Sequence, residues 1–121
     1  MRIEALDPTT PLPVQFQQDT GPVTIVNTFL VPPELAEVFL ATWREDAAYM
    51  LARPGCVSTQ LYRGTAGSRV MVNVAVWETT AALFDAFRQP EFQAAAAKYP
   101  DGIVARPHVL EKVAVPGICG A

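Results

Sequence analysis

Hydrophobic positions alternate most plainly over Val70–Trp77. Val70, Val72, Val74 and Val76 fall on one side of an extended chain, and Met71, Asn73, Ala75 and Trp77 on the other, because successive strand side chains point to opposite faces. β-Branched residues dominate, which favours a strand over a helix. One face is a valine stripe. The other is apolar apart from the Asn73 amide and the indole N–H of Trp77. Val23–Val31 repeats the character: Val23, Ile25, Asn27 and Phe29 share one face, and Thr24, Val26, Thr28 and Leu30 the other. Each strand thus carries one amide in an apolar row. A buried amide left without a partner costs about 1–3 kcal/mol. Asn27 and Asn73 therefore either find partners within a core or face a ligand or water.

Between these strands the period changes. Pro32-Pro33-Glu34 opens a helix in which Leu35, Phe39, Trp43, Ala47 and Met50 recur at helical spacing, and Arg53-Pro54-Gly55 ends it. On this pattern Trp43 is a core residue. Cys56–Arg63 predicts a strand with Val57, Thr59 and Leu61 on one face, joined to Val70–Trp77 by a hairpin at Gly64–Gly67. Thr79-Thr80 caps a helix holding Ala82, Leu83, Phe84 and Phe87. Gln89-Pro90-Glu91 interrupts it, and Phe92–Tyr99 forms a further helical segment. The last strand is expected between Val104 and Val115, starting after Pro107. Residues 1–22, with Pro8, Pro11, Pro13 and Pro22, read as an irregular N-terminal arm. Its most extended piece would be Val14–Phe16, and its few apolar residues could dock on a partner subunit. Residues 23–115 form the folded domain and residues 116–121 a short tail.

The order β-α-β-β-α-β predicts an α+β, ferredoxin-like fold: an antiparallel sheet with its helices on one face. Such a sheet should alternate cleanly if its other face is wet. Both principal strands are instead apolar on both faces. The expectation is a homodimer, sheet against sheet, closing a dimeric α/β barrel.

Composition supports a covered face. Half of the 121 residues are apolar and 17% are charged, with a mean hydropathy of +0.20. The net charge is −3 and Lys and Arg do not cluster, which argues against nucleic acid as a partner. No apolar run has membrane-spanning length and the start of the chain lacks the apolar core of a signal peptide, so no membrane partner and a cytoplasmic location are expected. Cys56 and Cys119 are too far apart in sequence to form a metal pair. A single histidine, His108, argues against multi-histidine metal sites, and no glycine-rich phosphate loop follows a strand. The expectation is activity without a cofactor or a metal.

From Val23 to about Val115 the chain resembles the antibiotic biosynthesis monooxygenase family of small dimeric ferredoxin-like proteins. The resemblance is carried by Arg53-Pro-Gly-Cys56 before a strand, by Val74-Ala-Val-Trp-Glu78, and by Phe92 in the split second helix. That family also contains haem-degrading enzymes, quinol-oxidising enzymes and an isomerase branch. Its cofactor-independent oxygenases of aromatic polyketides carry an Asn on the first strand and Asn-x-x-x-Trp on the third, which match Asn27 and Asn73-Val-Ala-Val-Trp77. One subgroup adds a tyrosine in the second helix, where this chain has about Leu83. The haem-degrading branch needs a Trp and a His in that helix, near Ala86 and Ala96 here, and His108 does not match.

The resemblance implies Asn27, Asn73 and Trp77 as catalytic residues, with Phe29, Met71, Leu83 and Phe87 against the substrate. It implies oxidation of an electron-rich polycyclic phenol or anthrone to a quinone by O2, through an enolate stabilised by the two amides. No general base is evident. An already ionised substrate, a water, Asp46 or His108 would each serve. The alternatives are a quinol monooxygenase or other small-molecule enzyme of the same fold, a non-catalytic dimer that binds a small aromatic ligand, and a structural dimer in which Asn27 and Asn73 bond only each other.

Overall fold

The computed structural model describes residues 1–121. In chain order the elements are β1 (Arg2–Ile3), α1 (Leu12–Gln15), β2 (Val23–Leu30), α2 (Ala36–Leu51, entered through a 3-10 turn at Pro33–Leu35), β3 (Cys56–Arg63), β4 (Val70–Trp77), α3 (Thr80–Phe87), α4 (Pro90–Ala96) and β5 (Val104–Leu110). The five strands lie in the order β1-β5-β2-β4-β3. All pairings are antiparallel except the short β1–β5 ladder. This is the expected α+β, ferredoxin-like architecture with one small strand added at an edge.

Local chemistry sets the boundaries. The Thr79 hydroxyl accepts from the Ala82 N–H and caps α3, and Pro90 occupies the first turn of α4, where a missing N–H costs nothing. The turn between α2 and β3 needs Gly55, whose φ is +87°, a conformation side chains disfavour.

Three expectations are corrected. The arm is not irregular throughout, and part of it packs on its own chain. Arg2 and Ile3 pair with Val104 and Ala105, Leu12–Gln15 is a helical turn rather than an extended piece, and the Phe16 ring packs 5.0 Å from Phe84 and 5.5 Å from Phe87. The last strand starts before Pro107, not after it. The Val109 N–H points away from β2, to Gln15 Oε1, and alternate residues share that direction. Pro107 thus places its missing donor on the open edge of β5. Val57 leaves the face assigned to it because the ladder slips between Cys56 and Ser58. That bulge turns Cys56, Thr59 and Leu61 inward and leaves Val57 exposed.

The helices cover one face of the sheet. On β2 the inward Val23, Ile25 and Phe29 are buried, while the outward Thr24, Val26, Thr28 and Leu30 are only half-buried. On β4 the valine stripe is the outward side. Only 16 of 121 residues are buried, and the core they form falls into two groups of 7 and 6 hydrophobic residues. One gathers round Phe29, Phe39 and Tyr99, the other round Val23, Trp77 and Leu83.

Candidate active site

A cavity of about 200 Å³ lies where the two core groups meet. Its floor is the inward face of the sheet. Its roof is one stripe of α2: Trp43, Asp46, Ala47 and Met50 are spaced three and four residues apart, so they stack on one side of the helix. Leu83 of α3, then Phe87, Phe92, Gln93 and Ala96, form a wall, and Met1, Ile3 and Leu12 of the arm reach in beside β5. Ile3 is 64% exposed, which puts the arm at the mouth.

Asn27 and Asn73 stand opposite each other on β2 and β4, and both line this floor. They do not bond each other. Asn73 Oδ1 accepts from the Thr59 hydroxyl at 2.8 Å, and Asn27 Oδ1 is buried with no hydrogen-bond partner. Trp77 is 1% exposed and lies against the cavity four residues beyond Asn73. Phe29, Leu83 and Phe87 also line it. Met71 does not: it is buried among Phe29, Val31, Phe39 and Ile103, under the end of α2 away from the amides. His108 faces the opposite side from Asn27, next to Val26, and its Nδ1 lies 3.1 Å from Gln15 Nε2. It takes no part in this cavity.

Several groups at the cavity escape the strand pattern. Asp46 is one. Its Oδ2 accepts from the Tyr99 hydroxyl at 2.8 Å, and its Oδ1 is buried without a partner. Burial pushes the Asp46 carboxyl above its ordinary range, partly offset by the Tyr99 hydrogen bond. Burial, followed by the neighbouring Asp46 charge and that same bond, pushes the Tyr99 phenol far up. Burial also raises the Cys56 thiol. Trp43, expected to be core, lines the cavity from the roof, and Pro107 closes the floor beside Asn27. The spacing of Asp46 from Trp43 and Met50 was the available signal for it. No three His, Cys, Asp or Glu side chains converge as a metal-binding group, and no helix is long and apolar enough to cross a membrane.

Solved structures share this fold. SnoaB, a cofactor-independent oxygenase from Streptomyces nogalater, is 28% identical over 81% of this chain and 99% of its own, with a TM-score of 0.72. A candidate monooxygenase from Shewanella loihica PV-4 is 27% identical over 78% of this chain and 97% of its own, with a TM-score of 0.67. Rv0793 from Mycobacterium tuberculosis, 19% identical over 80% of this chain and 100% of its own, shares the fold at a TM-score of 0.66. None of the curated proteins compared matches the chain. The model of the antibiotic biosynthesis monooxygenase family matches residues 22–98, and with that match the chain belongs to this family of enzymes.

Proposed function

We propose that the protein is a cofactor-independent monooxygenase that oxidises an electron-rich phenolic substrate of the anthrone type with O2. The observation that carries this reading is the amide pair: Asn27 and Asn73 face each other across two strands on the floor of a mostly apolar cavity. With Asn73 Oδ1 held by Thr59, its N–H groups are left for a substrate oxygen. Amide donors stabilise a developing enolate oxygen without adding charge, and they act most strongly where water is excluded. Trp77 and Phe87 supply ring faces for stacking. The family and the likeness to SnoaB support oxygenation without a cofactor.

The reaction needs little else from the protein. Removal of one proton from the CH2 group of an anthrone leaves an enolate. The enolate passes an electron to O2, and the two radicals join through a C–O bond to give a peroxide. Loss of the second C–H proton and cleavage of the O–O bond release water and leave a carbonyl. One CH2 and one O2 become one C=O and one H2O.

Cavity size favours a second substrate class beside the first. About 200 Å³ is little more than the roughly 150 Å³ of a cavity that holds one benzene. One or two rings fit inside, and a third extends toward the arm at the mouth. Compact quinols are therefore the alternative substrates. The test is O2 uptake and quinone absorbance with a panel of anthrones and naphthohydroquinones, without added metal or flavin. Turnover of anthrones supports the first class, and turnover of quinols alone replaces it with the second. No uptake with any member would leave a ligand-binding dimer.

The open side of the sheet supports a second copy of the chain as its cover. The half-buried valine stripe of β4 continues onto Val26 and Leu30 of β2, a self-complementary apolar surface of the kind that closes a two-fold dimer.

A further inference from the structure

The proposed oxygenation begins with the loss of a proton, and neither amide can take one. We infer that Asp46 is the catalytic base of this cavity and that Tyr99 is the residue that positions it. This inference rests on the oxygenase reading above and adds the group that moves the proton.

Three observations meet at Asp46. It projects from α2 on the same stripe as Trp43 and Met50, into the cavity whose floor carries Asn27 and Asn73. Its two oxygens are in different situations: Oδ2 accepts from Tyr99 at 2.8 Å, while Oδ1 is buried and unpartnered. A carboxylate oxygen enclosed in this way is costly unless something donates to it. A substrate C–H or O–H acid is a donor of the right kind. Tyr99 lies just beyond α4 and is 5% exposed, so one hydrogen bond between distant parts of the chain fixes the rotation of the carboxylate.

The surroundings leave the base free of salt-bridge partners. Glu45 and Lys98, the charged groups next to Asp46 and Tyr99 in sequence, pair with each other in solvent at 3.0 Å. Arg44 is exposed on α2, and Arg53 beyond its end stacks over the Tyr49 ring at 4.6 Å. Glu91 of α4 meets the Tyr49 hydroxyl at 3.4 Å. The terminal ammonium of Met1 lies 3.5 Å from the Tyr99 carbonyl and 3.8 Å from Asp101. From β3 the cavity receives only the Cys56 thiol and the Thr59 hydroxyl. Burial raises Asp46 toward the range in which a carboxylate is an effective base, and the Tyr99 bond tempers that rise. In the first step the substrate C–H proton moves to Oδ1, and the electron pair stays on the substrate as the enolate held by the amides. After O2 has added, the same proton returns to the peroxide oxygen. Asp46 ends as it began, a carboxylate.

The test pairs turnover with proton exchange. Wild-type protein, Asp46→Asn and Tyr99→Phe are assayed with 1,8-dihydroxy-9-anthrone across a pH series. Each is also incubated with it anaerobically in D2O, following loss of the C–H signal by NMR. Asp46→Asn should lower kcat/KM roughly 10²-fold or more, remove the acid limb of the profile and abolish protein-dependent exchange. Tyr99→Phe removes the bond that lowers the Asp46 pKa, so its acid limb should move to higher pH with exchange retained. A structural latch would produce neither pH effect. Asp46→Asn within three-fold of wild type, or unchanged exchange in that variant, overturns Asp46 as base and leaves the oxygenase standing. A wild-type protein that neither consumes O2 nor exchanges the proton overturns both.

Discussion

The Thr59 hydroxyl donates to Asn73 Oδ1 at 2.8 Å, and this contact decides which way the Asn73 amide points. An amide whose oxygen is held by a neighbouring strand presents its NH2 group to the cavity. Asn27, directly across the ladder, has no such tether. The two amides are therefore not equivalent, although their strands are alike.

Removing Asn73 should act on the transition state. One donor to a developing oxyanion is commonly worth about 10²–10³ in rate. Asn73→Ala should lower kcat by that order and leave KM within a few-fold, since the bond strengthens mainly as charge develops. Stability should fall by only about 1 kcal/mol, because the Thr59 hydroxyl that loses its partner borders a cavity water can enter. Steady-state kinetics and a melting curve on the same preparation check both parts. Full activity with a large loss of stability would make Asn73 a core residue.

Gly55 controls how β3 approaches α3. Its φ is +87°, and a Cβ there would come within 2.5 Å of the Ala82 Cβ. Its carbonyl accepts from the Glu78 N–H at 2.8 Å, tying the end of β4 to the start of β3 next to Trp77 and Cys56. A non-glycine residue in this backbone region costs about 1–3 kcal/mol, and the clash adds to it. Gly55→Ala should therefore lower the denaturant midpoint by at least that equivalent. An unchanged midpoint would mean that the turn re-forms another way.

The amide-bearing strands were legible because each amide interrupts an apolar row of period two, a signal local to one strand. Their register was not, since nothing within Val23–Leu30 states that Asn27 meets Asn73. Asp46 was half-legible. It shares the spacing of Trp43 and Met50, yet it sits beside exposed Arg44 and Glu45 and reads as one more solvated charge. Its partner Tyr99 is 53 residues away, a separation at which no sequence period operates. The β3 bulge and the inward turn of Cys56 depend on strand pairing rather than on composition. Met71 was misplaced for a related reason: it shares a face with Asn73, but a face extends beyond the cavity, and the core round Phe39 claims its far end.

Burial of Asp46 also links stability to pH. Its folded pKa lies above 3.8, the ordinary value, so the folded state holds a proton that the unfolded chain has lost. Stability from this group is therefore fully present below about pH 4 and is lost as pH rises through the folded pKa. Asp46→Asn has no charge to bury and still offers Tyr99 an acceptor. Its melting temperature relative to wild type should rise from about pH 4 toward neutrality. A variant that melts below wild type at neutral pH, with the gap closing in acid, would show that the carboxylate is favoured when folded and that the sign is wrong.

The outward sheet face gives the last prediction. Val72, Val74 and Val76 stand in a row on a central strand, flanked across the ladder by Thr24, Val26 and Thr28 of β2. These residues are half-buried, although a sheet face meant for water should alternate to polar side chains. Tyr62 on β3, 57% exposed, and Leu110 on β5, 44% exposed, extend the apolar surface toward both edges. Large apolar patches on small proteins mark interfaces, and a second copy supplies a matching surface by symmetry. Light scattering behind size exclusion should give twice the chain mass of 13.1 kDa at micromolar concentration. Val74→Glu places a charge at the centre of the row, where an unpaired buried carboxylate costs several kcal/mol. It should shift the protein to monomer, or to aggregate where the monomer face is too sticky to remain free. Its half-buried side chain can reach water in the monomer, so secondary structure by circular dichroism should survive in the monomeric fraction. A wild-type protein that stays monomeric, folded and soluble over the same range would show that this face is simply tolerated in water.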